Sequence, residues 1–406
     1  MKFIADFHIH SKYSRATSSD MDLENLSKWA KIKGIQLLGT GDFTHPLWFS
    51  ELRDKLKEKS YGIYEYNGVN FILTTEISNI YQQNGKVRRI HILLFSPSIE
   101  ITYKINRLLE KFGNLNNDGR PTFGVNLRNL LPLIWEISEE IYVVPAHMWT
   151  PWFSIFGSQS GFNSIEEAFG NLSNKIFAGE TGLSSDPKMN WRLSSLDRIC
   201  LISNSDAHSP NKIGREANVF QCDLNYREIF NAIKNQDKTK FLFTIEFFPE
   251  EGKYHYDGHR NCNVVLSPKE SIKLNNICPI CGKPLTIGVA HRVEELADRE
   301  EGFIPEHKIP YINLVPLEEI IAQALGKDSS SSIVQKEYFK MINTLGTELD
   351  ILMNISIEEI QRVSGPKISE GIKNMREGKI SVEPGFDGVY GKIKVFNEGK
   401  DQLSLF

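Results

Sequence analysis

Two short motifs at opposite ends of the first half of the chain, His8-Ile9-His10 and Ser205-Asp206-Ala207-His208, constrain its fold more than any other feature. Between them lie Asp42, His45, Glu76, His91 and His147, each at or beside the end of a short apolar run. Side chains alternate across a strand, so His-x-His turns both imidazoles to one face, the geometry needed to grip one ion. A lone histidine is usually packed or solvated; the set is what carries meaning. Imidazole nitrogens mixed with carboxylates suit zinc, manganese or iron, and a carboxylate shared between ions suits hydrolytic clusters. The fold must therefore bring many strand ends to one point.

The apolar runs supply the strands. Candidates are Lys2–Phe7, Gln36–Thr40, Asn70–Ile77, Arg89–Phe95, Tyr142–Ala146, Ile176–Ala178 and Cys200–Ser203, alternating with helix-like segments such as Leu23–Lys33. Such alternation argues for parallel β/α units. Seven or more units with ligands beyond the strand ends fit a barrel better than an open sheet, because barrel active sites sit at the carboxyl ends of the strands.

The chain has 406 residues, room for two or three domains, and its 40% hydrophobic and 24% charged content is ordinary for a globular protein. A net charge of -4 gives no global attraction to nucleic acid, so such a partner would need a local basic face. Met1-Lys2 leads directly into a strand-like run, so no signal peptide is expected, and no apolar stretch approaches the ~20 residues of a membrane span. A cytoplasmic location is expected.

Five cysteines, an odd number, argue against a disulfide framework. Cys278-Pro279-Ile280-Cys281 forms a knuckle, preceded by Cys262 and, three residues earlier, His259. That spacing suits a closed structural zinc site with three thiolates and one imidazole. His291 and His255 compete with His259 for the fourth place, and Cys200 and Cys222 read as buried thiols. Composition shifts near Phe247-Phe248-Pro249 and helical patterns dominate after about Gly302. The expected division is a barrel over 1–245, a zinc-binding module over 246–300, a mainly helical region over 301–396 and a flexible tail over 397–406.

The metal set resembles the polymerase-and-histidinol-phosphatase (PHP) family of metal phosphoesterases. The resemblance implies an α/β fold, a PHP-type distorted TIM-like (β/α)7 barrel. It also implies that His8, His10, Glu76 and Asp206 hold one ion, and that Glu76 bridges to a second held with His91 and His147. A third would use His208 with a residue of the second motif. The family's Thr-Asp-His triplet is replaced here by Thr40-Gly41-Asp42-Phe43-Thr44-His45-Pro46, so Asp42 or His45 could serve as the ligand from this motif. The expected cofactors are two or three divalent ions (Zn, Mn, Mg or Fe) in the barrel and one structural Zn. Asp206, His208 and Glu76 are expected to carry the catalysis, with Arg15 facing a substrate phosphate, since guanidinium forks match phosphate oxygens.

Residues near the set suggest the substrate. Trp149 and Trp152 follow His147 closely, and His45-Pro46-Leu47-Trp48-Phe49 repeats the theme; aromatics so placed fill a core or stack on an extruded base. The polar loop Glu180–Pro187 reads as a turn or as a substrate-facing loop, with Glu180 at the rim and Ser184 facing the substrate.

Longer blocks are similar, across nearly the whole chain, to the endonuclease Q family of PHP-type DNA repair nucleases. They are Gly39–Pro46, Gly179–Pro187, Gly258-His259-Arg260-Asn261-Cys262, Cys278–Thr286 and Arg292–Arg299. This resemblance implies incision of DNA on the 5′ side of hypoxanthine, uracil, xanthine and abasic sites; nothing in the sequence demands a dimer, so a monomer is expected, associated with the nucleoid. A small-molecule phosphatase of the histidinol-phosphatase type and a non-catalytic damage-binding protein are the alternatives. Ser364-Gly365-Pro366-Lys367 lies between two helical patterns and resembles a helix-hairpin-helix, with Lys367, Lys373, Arg376 and Lys379 as a basic face. The final Gln402-Leu403-Ser404-Leu405-Phe406 is similar to the short peptide with which bacterial proteins dock on the replication sliding clamp (β-clamp). Leu403, Leu405 and Phe406 would fill an apolar pocket and Gln402 make polar contacts.

Overall fold

The computed structural model describes residues 1–396; the clamp-like peptide, Gln402 to Phe406, lies outside the described residues. Seven strands close the expected barrel: β1 (Lys2–Asp6), β2 (Leu37–Gly39), β3 (Val69–Gln83), β4 (Lys86–Ser96), β5 (Tyr142–Pro145), β6 (Ala178–Glu180) and β7 (Cys200–Ile202). β1, β2 and β3 pair in parallel, with Ala5 opposite Leu37 and Leu37 opposite Asn70. β6 and β7 are also parallel, Gly179 opposite Leu201. Past the end of β5, Met148 N–H donates to the Glu180 carbonyl at 3.0 Å. The ring closes where Ser205 N–H donates to Asp6 Oδ1 at 3.0 Å and Phe7 N–H to Asn204 Oδ1 at 2.9 Å.

One expectation fails in an instructive way. β3 and β4 are not separate β/α units but the arms of one long antiparallel hairpin, and β4 pairs antiparallel to β5 as well. The turn is Asn84-Gly85, with φ of 53° and 73°. Two consecutive left-handed residues make a turn whose twist matches that of the strands it joins, and Asn-Gly is its preferred sequence. Reversal of β4 places His91 within a strand rather than past its end.

Ala217–Gln221 and Phe241–Glu246 extend the β1 edge of the sheet, and Tyr311–Asn313 adds in parallel to Phe241–Glu246. The segment that carries the cysteine knuckle is thus inserted between two strands of one sheet. It holds a hairpin of Asp257–His259 and Val264–Leu266 and two short helices, Pro268–Lys273 and Val289–Leu296. Its own apolar core is small, centred on Val264, Cys278 and Leu285. The helical region comprises Leu317–Leu325, Ser332–Leu345, Glu348–Met353, Ile357–Ser364 and Pro366–Arg376. The last two form the expected hairpin around Gly365, whose φ of 82° suits a residue without a Cβ. Arg376 does not join a basic face: its guanidinium turns inward, donating to the carbonyls of Ile351, Leu352 and Ile355. Among the described residues no helix is long and apolar enough to cross a membrane.

A buried ion pair locks the helical region to the barrel. Helix Leu23–Lys33 is capped by Asp22, which accepts from Asn25 N–H at 2.9 Å, and buries Leu23, Leu26 and Ala30. At its end Lys33 Nζ lies 2.5 Å from Glu348 Oε2, both side chains nearly inaccessible. The same carboxylate accepts from Tyr338 Oη at 2.6 Å and from Leu317 N–H at 3.1 Å. Removing one partner strands the other charge, so Glu348→Ala is expected to cost about 3–5 kcal/mol. A lowered midpoint of chemical denaturation would register this; an unchanged midpoint would mean that the lock carries no stability.

Candidate metal centre

The barrel brings seven of the predicted ligands to one mouth. Their ligating atoms form three groups, each within 4.8 Å: His8, His10 and Glu76; Glu76, His91 and His147; His10, Asp206 and His208. Glu76 is shared by the first two and His10 by the first and third. Glu76 Oε1 faces His91 Nδ1 at 2.7 Å and His147 Nε2 at 2.9 Å; Oε2 faces His10 Nε2 at 3.4 Å and His8 Nε2 at 3.7 Å. Asp206 Oδ1 lies 3.1 Å from His10 Nε2.

Buried polar atoms ordinarily find partners, yet His8 Nε2, His10 Nε2 and Asp206 Oδ1 are buried with no hydrogen bond of acceptable geometry. All three point into the same space. The other ring nitrogens are engaged: His8 Nδ1 with both oxygens of Glu180 at 3.0 Å, His10 Nδ1 with Asp42 Oδ1 at 3.0 Å and His147 Nδ1 with Thr150 Oγ1 at 3.0 Å. His208 Nδ1 lies 2.8 Å from the Asp206 carbonyl. A partner on one nitrogen fixes the tautomer and presents the other as a ligand. The donor set therefore fits divalent cations.

Electrostatics agree. Burial alone would raise the Glu76 carboxyl, but His91, His8 and Arg120 hold it well below the usual range. Burial would likewise depress His8 and His10, yet the carboxylates around them, Glu180 and Asp42 foremost, hold both well above the ordinary imidazole value. At His91 burial wins and the ring falls to about 4. Such a pocket attracts positive charge.

The backbone at the mouth is strained. Asp42, His147 and Asp206 have φ of 46°, 28° and 47°, a region costly for residues with a Cβ and commonest at functional sites. Gly182 makes room for one of them, since a Cβ there would lie 2.5 Å from His147 Cβ.

Four sequence expectations need correction. Asp42 joins none of the three groups: it accepts from Ser11 N–H at 2.6 Å, Ser11 Oγ at 2.7 Å and Ser14 Oγ at 2.8 Å while holding His10. His45 is not at the cluster: it precedes helix Pro46–Lys55, its Nε2 is 3.3 Å from the Asn116 carbonyl and its ring stacks on Tyr13. Glu180 is no rim residue. It is fully buried, and besides His8 it accepts from His147 N–H and Asn204 Nδ2, each at 2.8 Å. Trp149 is a core residue whose Nε1 donates to Asn190 Oδ1 at 2.7 Å. Trp152, by contrast, is 46% exposed, and Ser184 is half-buried. Arg15 lies on the surface with Nε 3.5 Å from Asp118 Oδ2.

The sequence reading missed Arg120, whose Nη1 lies 3.0 Å from Glu76 Oε2; nothing in Gly119-Arg120-Pro121 marks it in advance.

The second cluster is His259, Cys262, Cys278 and Cys281, with His259 Nδ1 3.3 Å from Cys281 Sγ. The competing imidazoles are placed elsewhere: His291 Nδ1 is 2.6 Å from Asp257 Oδ2, and His255 is buried away from the thiols. Cys200 and Cys222 are buried, their thiols pushed up to about 12 and about 11 by burial. Because the module's own core is small, a metal held there would contribute folding free energy. Cys281→Ala is expected to lose about one metal ion per chain by elemental analysis and to open 246–300 to proteolysis while the barrel stays resistant. Full protease resistance after metal loss would show that the apolar core suffices.

The geometry invites comparison with known proteins. Residues 316–379 match the family model described as the MJ0043 C-terminal domain. MJ0043 of Methanocaldococcus jannaschii is 35% identical over 252 residues, 60% of this chain, and the match spans only 31% of that longer protein. YqxK of Bacillus subtilis is 29% identical over 97% of this chain and 99% of its own length. Among solved structures, the lesion-specific endonuclease PfuEndoQ from Pyrococcus furiosus superposes with a TM-score of 0.88 at 34% identity, covering 98% of this chain and 96% of that one. Endonuclease Q in complex with a 27-mer duplex bearing an abasic lesion at the active site gives 0.86, also at 34% identity, with 98% of each chain covered. At that identity over nearly full length, with the ligand ring formed at the barrel mouth, this chain belongs to the endonuclease Q family.

Proposed function

We propose that this chain is a metal-dependent DNA repair endonuclease that hydrolyses the phosphodiester on the 5′ side of hypoxanthine, uracil, xanthine and abasic sites. The observation that carries this reading is near full-length likeness to a structure holding an abasic duplex at its active site, coupled with the shared-ligand ring described above. The preference for deaminated bases and the 5′ polarity rest on the resemblance in the long sequence blocks.

Divalent cations bound in the ring would acidify water, hold a phosphoryl oxygen and neutralise charge on the leaving oxygen. The side chains divide the remaining work. His8, His10, Glu76, His91 and His147 are almost wholly buried, and their positions are fixed by Glu180, Asp42 and Thr150. Asp206 and His208 form the open side, their side chains 26% and 33% exposed, where a substrate phosphate enters and a proton can pass to solvent.

Trp152 supplies the exposed aromatic face for a base. Its carbonyl accepts from Thr150 Oγ1 at 3.0 Å, the same hydroxyl that lies against His147, so the aromatic loop and the metal ligand share one anchor. The next residue, Phe153, packs on His91 with ring centres 4.7 Å apart. Lys367, exposed on the helical hairpin, would meet a flanking phosphate, and Ser184 lies on the loop that follows Gly182.

The test is a panel of labelled duplexes carrying one hypoxanthine, uracil, abasic site or normal base, with and without Mn²⁺ or Mg²⁺. A metal-dependent nick 5′ of each lesion, absent from the normal duplex, is expected. Asp206→Ala should lower the rate by roughly 100-fold or more while retaining DNA binding, since it removes charge positioned for the transition state. Intact DNA with turnover of a small phosphate ester would contradict the proposal. Docking of Gln402–Phe406 on the sliding clamp is a separate part of the proposal: clamp pull-down is expected to fail when the five residues are deleted, and equal recovery would reject it.

A further inference from the structure

Arg120 stands where a cation and a guanidinium would compete. Its Nη1 bonds Glu76 Oε2 at 3.0 Å, the oxygen that also faces His8 and His10 in the first ligand group. Two positive charges on one carboxylate oxygen repel strongly in a desolvated site. When that group is loaded, the guanidinium needs another acceptor. Its side chain is 27% exposed, so solvent and a ligand can approach it.

Only the side chain is free to respond. Ser78 N–H on β3 donates to the Pro121 carbonyl at 2.9 Å, and Thr44 Oγ1 donates to the Gly119 carbonyl at 3.1 Å. A Cβ at Gly119 would lie 2.3 Å from Asp42 Oδ2, so the backbone here is pressed against the residue that orients His10. Asp118 Oδ1 accepts from Arg120 N–H at 3.1 Å and from Arg15 N–H at 3.2 Å, while Oδ2 takes Arg15 Nε at 3.5 Å. One carboxylate thus ties the backbone of Arg120 to both the backbone and the side chain of Arg15.

Resting on the phosphodiester reading above, we infer that Arg120 grips the phosphate being cut, leaving Glu76 as the cations load, and that Asp118 sets it in register with Arg15. A planar guanidinium meets two phosphate oxygens at once, a task a lysine ammonium performs only as a point charge.

The test compares wild type, Arg120→Ala and Arg120→Lys in three measurements: bound metal by elemental analysis, lesion-duplex affinity over a salt series by stopped flow before cleavage, and cleavage rate. For Arg120→Ala the expected result is unchanged metal content and a fall of roughly 100-fold or more in kcat/KM. The slope of log affinity against log salt should also shrink by about one, the signature of one lost phosphate contact. Arg120→Lys should restore the slope but not the full rate. Loss of metal with an unchanged slope would overturn the inference and leave Arg120 as a support for Glu76; so would wild-type values throughout. If wild type binds the duplex with the larger slope yet cuts nothing, the nuclease reading fails while the phosphate contact stands.

Discussion

Glu76 is the carboxylate on which the site depends. It is almost completely buried and its two oxygens face His8, His10, His91, His147 and Arg120. A buried carboxylate among imidazoles is tolerable only if the imidazoles carry protons or if cations take their place. The orphaned nitrogens of His8 and His10 and the orphaned oxygen of Asp206 point to cations. Satisfying them requires strand ends from both halves of the barrel, so the closure of β1 against β7 and the formation of the site are one event.

Much of this was legible in the sequence, and the parts that were not share a cause. His-x-His and Ser-Asp-Ala-His are local patterns, and period-two geometry carries them directly into space. The cysteine knuckle is equally local, which is why His259, Cys262, Cys278 and Cys281 meet as expected. Asp42 and His45 were ambiguous because the sequence cannot say whether a carboxylate binds an ion or the far nitrogen of an imidazole that does. Glu180 looked like a loop-edge acid; only its contact with His8, 172 residues away in the chain, reveals a buried orienting group. Arg120 had no local signal at all. The reversal of β4 is different, since Asn84-Gly85 announced it and the pull of the β/α pattern hid it.

The accessory parts are built into the barrel rather than tethered to it. The segment with the cysteine cluster begins after Phe241–Glu246, and the chain returns to the same sheet at Tyr311–Asn313. The helical region is held by Glu348, which gathers Lys33, Tyr338 and Leu317 at one buried carboxylate. Surfaces beyond the metal mouth are therefore carried at fixed positions, as a duplex that must be bound on both sides of one phosphate requires. A small phosphate ester has no use for them.

The donors at the mouth of the barrel fit a shared-ligand cation centre. Anomalous scattering from crystals of the metal-loaded protein would locate the ions themselves. Peaks are expected within the three ligand groups, with Glu76 between two of them, and a separate peak among the three cysteines and His259. An ion held by His45, or an empty ring beside a filled cysteine site in protein that cuts DNA, would contradict the account.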